Sequence, residues 1–203
     1  MPNKIILIRH GESTGNIDRN MYEQPDSAVC LTEKGVKQCL IAAEWLASKE
    51  HFLRWHRFGV RVYTSEYTRA IQSARIILDK IRMKDNVPTI TPWINEINVG
   101  EVTDGTSLLW KDETGDFHFP QGESFKILRH RASCFIKQIE GLLSERDIML
   151  VCHNGVIRTL TAELLGMTDS AMLTIRSANS SIAIFERDND CYRQIEYFKP
   201  IIE

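Results

Sequence analysis

The residues best suited to chemistry in this chain are Arg9 and His10, side by side in the run IILIRHGES at residues 5 to 13. Ile5 to Ile8 read as a buried strand stopped by charge and by Gly11, and strand ends are where α/β proteins place reactive groups. A guanidinium beside an imidazole suits attack on phosphorus. Arginine holds phosphate oxygens in a two-pronged hydrogen bond, and a neutral histidine is nucleophilic at physiological pH. Alone, the pair also reads as a strand end with solvated polar residues.

Other segments answer it. GVRVYT, residues 59 to 64, is a second strand running into SEYTRAIQSA, where Ser65 caps a helix and Arg69 lies about one turn in. Ala70, Ala74, Ile77, Leu78 and Ile81 have the spacing of that helix's core face. Arg69 therefore sits at an N-terminus whose N–H groups and dipole favour an anion. DIMLVCHNGVIR repeats the plan: a strand from Ile148 to Cys152, His153 at its end, then a helix through Val156, Leu160 and Leu164. Between them, WINEINVGE sets Glu96 just past the short extended segment ITPWI.

Six motifs then stand in order: RHGESTGN at 9 to 16, LTEKG at 31 to 35, TSEYTRAIQSA at 64 to 74, NEINVG at 95 to 100, GES at 122 to 124 and CHNGVIR at 152 to 158. Together they resemble the histidine phosphatase superfamily, which includes cofactor-dependent phosphoglycerate mutases, fructose-2,6-bisphosphatase domains and broad-specificity phosphatases. The resemblance implies that His10 is a nucleophile that takes a phosphoryl group, with Arg9, Arg69 and His153 around the phosphate. It implies Asn16 as a further donor and Glu96 as the proton donor to the leaving oxygen. The physics agrees. A phosphate monoester carries about −1.5 to −2 charges at neutral pH, which two arginines and a second histidine offset. A leaving alkoxide needs a proton, which a carboxylic acid with a raised pKa supplies.

Glu96 also reads as an exposed loop carboxylate, and the neighbouring sequence departs from the family pattern. Gly100 is followed by Glu101, Val102, Thr103 and Asp104, where many relatives continue Trp-Glu-Gly, so Glu101 and Asp104 are reserve candidates for the acid. Asn154 stands where many relatives have glycine. Its backbone N–H still reaches a phosphate, but a side chain narrows the approach. A second chemistry is written in the same stretch: Cys152, Gly155, Arg158 and Thr159 spell C-x-x-G-x-x-R-T, which resembles the phosphate loop of cysteine-dependent tyrosine phosphatases, with Cys152 as a thiolate nucleophile. That reading leaves Arg9, His10, Arg69 and Glu96 idle and finds Val151 where those enzymes carry histidine. Strand side chains alternate, so if His153 faces the site, Cys152 faces the core.

The elements that must position these residues run strand, helix, strand, helix, short strand, long helix, strand, helix and two C-terminal strands. This order gives a three-layer α/β sandwich with a mostly parallel central sheet, one domain over residues 1 to 203. The first helix follows Thr32 as N-cap with the stripe Val36, Cys39, Leu40, Ala43, Leu46 and Ala47. The long helix after Gly122 carries Phe125, Leu128, Ala132, Phe135, Ile139 and Leu142, and the chain ends in a hairpin turning at Asp188, Asn189 and Asp190. The 203 residues are 43% hydrophobic, enough for a sizeable core, and the net charge of −2 argues against nucleic acid as a partner. Five scattered cysteines fit free thiols in a reducing cytoplasm. No signal peptide or membrane span is read, and the expected location is cytoplasmic. His51, His56, His118 and His130 lack metal-ligand spacing and read as surface. No metal and no cofactor are called for, and the sequence leaves the oligomeric state open.

Hydrolysis and mutase-type transfer share one phosphohistidine and differ in what accepts the phosphoryl group. The short span between Glu96 and Gly122 leaves no large lid, and Gly15 stands where mutases usually carry tryptophan, which removes a wall. An open pocket favours hydrolysis, because transfer requires exclusion of water. Glu101, Asp104, Asp112, Glu113 and Asp116 against Lys111 make this flap acidic, which disfavours a second phosphate beside it. Trp110, Phe117 and Phe119 either contact an apolar leaving group or pin the flap to the body. The expected partner is a small phosphorylated substrate. An inactive phospho-ligand binding module is the non-enzymatic alternative, and the intact charged set argues against it.

Overall fold

The computed structural model describes residues 4–100, 110–111, 116–144, 146–188 and 191–202, with 51, 110, 111 and 144 described as backbone alone. The chain starts with β1 (Lys4–Arg9), a single turn α1 (Thr14–Ile17) and 3₁₀ turns at Arg19–Glu23 and Asp26–Ala28. Next come α2 (Glu33–Ala47), α3 (Glu50–Phe58), β2 (Val60–Thr64), α4 (Thr68–Lys80), β3 (Thr89–Ile90) and a 3₁₀ turn at Pro92–Ile94. A small antiparallel ribbon, β4 (Trp110–Lys111) and β5 (Phe117–His118), precedes α5 (Phe125–Glu140). The chain closes with β6 (Asp147–Cys152), α6 (Asn154–Leu164), α7 (Asp169–Met172) and the hairpin β7 (Ile182–Asp188) and β8 (Cys191–Phe198).

Six strands form one sheet in the order β3-β2-β6-β1-β7-β8. β1, β6, β2 and β3 pair in parallel, and β7 and β8 add an antiparallel edge, so the sheet is mostly parallel as the alternation of elements predicts. β1 and β6 lie at its centre with apolar side chains on both faces. Ile5, Leu7, Ile148, Leu150 and Cys152 pack with α5 and α6. Ile6, Ile8, Met149 and Val151 pack with α2 and α4 on the other face, which makes three layers. The register sets Arg9 opposite Cys152 and Thr64 opposite Val151, so the residues just past β1, β6 and β2 emerge side by side.

Several local expectations are corrected. α2 is capped by Thr32, whose hydroxyl accepts from the Gly35 N–H at 3.0 Å, but its buried face is Gly35, Gln38, Cys39, Ala42, Ala43 and Leu46. Val36 and Leu40 are only half-buried and Ala47 is exposed. The helix is rolled toward the loop after β1, where Gly35 packs so closely that a Cβ would overlap the Glu12 carbonyl oxygen. Alanine in place of a helical glycine normally adds about 0.5–1 kcal/mol. Gly35→Ala is instead expected to lose about 1–3 kcal/mol through overpacking, read as a lower urea midpoint at unchanged m-value.

α3 is absent from the expected order of elements, although Phe52, Leu53, Trp55 and Phe58 make four of its nine residues apolar. Trp55 anchors it, buried and donating Nε1–H to the Asp147 carboxylate at 2.7 Å. ITPWI is extended only at its start, because Thr91 caps the 3₁₀ turn that begins with Pro92. Ser65 caps no helix: α4 starts at Thr68, and the side chain capping it comes from Asp26, which accepts from the Thr68 N–H and hydroxyl at 2.7 Å each. Leu142 lies past α5 in a 3₁₀ turn and is partly buried. Asn189 and Asp190, the expected tip of the terminal hairpin, lie outside the described residues.

Candidate active site

The carboxyl end of the sheet gathers the charged residues. His10 follows β1, its backbone N–H bonded to the Cys152 carbonyl at 3.0 Å, and the adjacent register brings its ring centroid to 5.1 Å from that of His153. His10 Nδ1 lies 2.6 Å from the Gly11 carbonyl oxygen. A carbonyl only accepts, so Nδ1 carries the proton and Nε2 keeps its lone pair. The loop is fixed by the Gly11 N–H donating to Ser73 at 3.0 Å, and by Ser180 and Asn179 donating to the His10 carbonyl.

Arg9, His10, Asn16, Arg69, Glu96 and Asn154 line one cleft of about 1010 Å³. His153 is fully buried beneath it. Arg9 donates from one terminal nitrogen to the Ser177 carbonyl at 2.7 Å. Arg69, the second residue of α4, lies over the rings of Tyr22 and Tyr67 and 3.5 Å from the Asp26 carboxylate. Asn16 accepts at Oδ1 from the Ser13 backbone and hydroxyl and from Asn179, which leaves its amide donors for the cleft. Asn154 accepts at Oδ1 from the Ser177 N–H and hydroxyl, so its side chain is tied to the wall.

Glu96 closes the cleft opposite. One of its oxygens accepts from the Gly155 N–H at 3.1 Å, at the N-terminus of α6, and the other from its neighbour Ile97 at 2.9 Å. Gly155 permits this approach, since a Cβ there would overlap the carboxylate. The loop is clamped from α5. Arg131 donates to the carbonyls of Trp93 and Asn95 and, with two nitrogens, to Glu123, which in turn accepts from the Asn98 N–H. Glu101 and Asp104, the reserve acids, lie outside the described residues.

Cationic side chains and unpartnered nitrogens concentrate in this cleft. Among the described residues, four buried side-chain polar atoms lack a hydrogen-bond partner, and three of them, Arg9 Nε, Arg69 Nε and His153 Nδ1, belong here. Burial and then the charges of Arg69 and Arg9 hold His10 well below the usual histidine pKa. Burial, followed by Arg69, His10 and Arg9, does the same to His153, and burial lowers Arg9. Two neutral imidazoles thus sit among cations. Because their folded pKa values lie below the unfolded ones, they add stability above about pH 6.5 that is lost as pH falls toward the folded values. Urea unfolding at about pH 7.5 and about pH 5.5 is expected to show this loss, with a shallower pH dependence in His10→Asn.

Cys152 belongs to the core packed on α5 and α6 and is fully buried, with burial pushing its thiol pKa well up. Arg158, the arginine of that motif, bonds the Ile175 carbonyl instead of facing the cleft. Phe117 and Phe119 pack against the core, Phe119 meeting Phe125, whereas the Trp110 side chain and residues 101–109 and 112–115 of the flap lie outside the described residues. Gly15 does not leave the cleft without a wall, because the Tyr22 ring lies where a side chain at position 15 would begin. Sequence reasoning also missed Asp26, Arg131 and Ser65 as supports. Asp26 and Arg131 act on residues far along the chain, and local patterns carry no signal of that. Ser65 stands within a motif, and its position beside β6 was needed to see its partner.

A doubly wound sheet whose strand ends converge two arginines and two histidines on one cleft defines a class of phosphoryl-transfer folds. The chain belongs to the histidine phosphatase superfamily, branch 1, whose profile matches residues 5–199. It is 28% identical over 184 residues to the adenosylcobalamin/α-ribazole phosphatase of Salmonella typhimurium, covering 85% of each chain. It is 27% identical over 203 positions to the phosphoglycerate mutase of Schizosaccharomyces pombe, covering 93% of this chain and 92% of that one. The solved α-ribazole phosphatase from Shigella flexneri has the same fold, with a TM-score of 0.73 at 21% identity over 95% of this chain and 94% of that one.

Proposed function

We propose that this protein hydrolyses phosphomonoesters through a phosphohistidine on His10. The observation that carries the proposal is the set of three unpartnered buried nitrogens, on Arg9, Arg69 and His153, around an imidazole whose Nε2 lone pair is free. In this reading Arg9, Arg69, His153 and the Asn16 amide hold the phosphoryl oxygens. Nε2 of His10 attacks phosphorus as the ester oxygen leaves. The Nδ1–H stays on the Gly11 carbonyl, which steadies the ring as it becomes cationic. Glu96 gives the leaving oxygen a proton, then takes one from a water that attacks phosphorus. The P–N bond breaks, releasing phosphate and restoring His10.

The balance of charge among the described cleft residues supports hydrolysis over transfer. Phe117 and Phe119 are partly buried against the core and are not among the residues lining the cleft. Among the described residues lining the cleft, Arg19 is the only arginine or lysine besides Arg9 and Arg69, while Glu23, Asp26 and Glu96 are acidic. A monophosphate on a small, uncharged body fits this balance better than a bisphosphate. A thiolate mechanism through Cys152 lacks both access and ionisation.

The testing experiment is p-nitrophenyl phosphate hydrolysis followed by a panel of α-ribazole phosphate, phosphoserine, 3-phosphoglycerate and fructose 2,6-bisphosphate. Each substrate is scored for released phosphate and for phosphoryl transfer. Hydrolysis of a monophosphate is expected to dominate. Transfer between phosphoglycerates exceeding hydrolysis would assign the site to mutase chemistry, and binding without turnover would assign it to a phospho-ligand binding module.

A further inference from the structure

The register that sets β2 beside β6 also brings Ser65 to His153, with Ser65 Oγ 2.7 Å from Nε2. Both residues are fully buried, so no bulk water competes for either. Ser65 Oγ accepts from the Tyr67 N–H at 3.2 Å, and among the described residues its single proton has one neighbouring acceptor, Nε2 of His153. If Nε2 held the proton instead, the hydroxyl hydrogen would be buried without an acceptor among the described residues, and Nδ1 would offer the proposed phosphoryl group a lone pair in place of a donor. If the hydroxyl donates, every proton is placed except the one on Nδ1, the nitrogen with no partner.

We infer that Ser65 is a positioning residue that fixes His153 as the Nδ1–H tautomer, so that a neutral imidazole still donates a hydrogen bond to the phosphoryl group. The inference rests on the reading of the cleft as a phosphoryl site. His10 and His153 then share one tautomer but use it oppositely. In His10 the proton points at the protein and the lone pair at the substrate, whereas in His153 Ser65 takes the lone pair and the proton is left for the substrate. The arrangement supplies a donor without a third positive charge beside Arg9 and Arg69, and so leaves the His10 lone pair unprotonated.

Long-range ¹H–¹⁵N NMR of the ligand-free protein, with His153 assigned by mutation, reads the tautomer directly. A protonated-type shift at Nδ1 and a lone-pair-type shift at Nε2 are expected, and the reverse pattern would overturn the inference. Ser65→Ala is expected to move His153 toward the Nε2–H form and to weaken binding of inorganic phosphate roughly ten- to hundredfold, the loss of one hydrogen bond to an anion. Ser65→Thr, which keeps the hydroxyl, should restore both. Unchanged shifts and unchanged phosphate affinity in Ser65→Ala would also sink it. The wild-type tautomer is read without ligand, so failure of phosphate to bind the wild type would count against the phosphoryl-site reading alone.

Discussion

His10→Ala is expected to lose turnover by about 10⁴-fold or more while unfolding cooperatively like the parent, because on the proposed mechanism it removes the nucleophile and leaves the oxyanion donors in place. The ring fills a pocket between the Gly11 loop and His153, so His10→Asn serves as the variant that keeps more of the packing. Rapid quenching of the parent with a ³²P-labelled ester should trap a phosphoprotein that survives alkali and is lost in acid, as a phosphoramidate is. Cys152→Ser should keep most of its activity, since the thiol sits in the core behind the strand end. A dead Cys152→Ser enzyme alongside an active His10→Ala enzyme would reverse the assignment.

Glu96→Gln should slow hydrolysis of alkyl phosphates by about 10²-fold or more, the usual worth of a general acid. Nitrophenolate leaves well without a proton, so the first step with p-nitrophenyl phosphate should suffer far less. Single-turnover rates of His10 phosphorylation with the two esters isolate that step from the later attack of water. The geometry adds a control. Both Glu96 oxygens accept backbone N–H groups, and glutamine keeps only one acceptor. Part of any loss therefore comes from a displaced loop, and that part must be equal for both esters. Equal losses throughout would remove Glu96 as the leaving-group acid.

The frame was legible in the sequence because β1 and β6 are unbroken apolar runs, and because α4 and α5 carry clean stripes from Ala70 to Ile81 and from Phe125 to Ile139. The residues gathered at the strand ends were legible for a related reason: Arg9, His10 and His153 each stand where such a run stops. What stayed hidden depends on which strands become neighbours. Ser65 meets His153 only because β2 lies against β6, and the same motif viewed locally reads as a helix cap. Asp26 caps α4 from a distant turn, and Arg131 holds the Glu96 loop from the side of a helix judged by its apolar stripe alone. The roll of α2 was hidden too, since it follows from contact between Gly35 and a carbonyl in another segment.

The three unpartnered nitrogens on Arg9, Arg69 and His153 are a local frustration: groups with no mutual attraction are held together by the rest of the fold. On the proposed phosphoryl-site reading, stability and phosphate concentration are coupled. An oxyanion at a hundredfold excess over its Kd adds about 2.7 kcal/mol to the folded state, so the melting temperature becomes a gauge of ligand supply. Replacing Arg69 by methionine relieves repulsion with Arg9 and removes a buried orphan donor but also gives up the Asp26 ion pair and two aromatic faces, so opposing forces of the fold itself hold this cation in place.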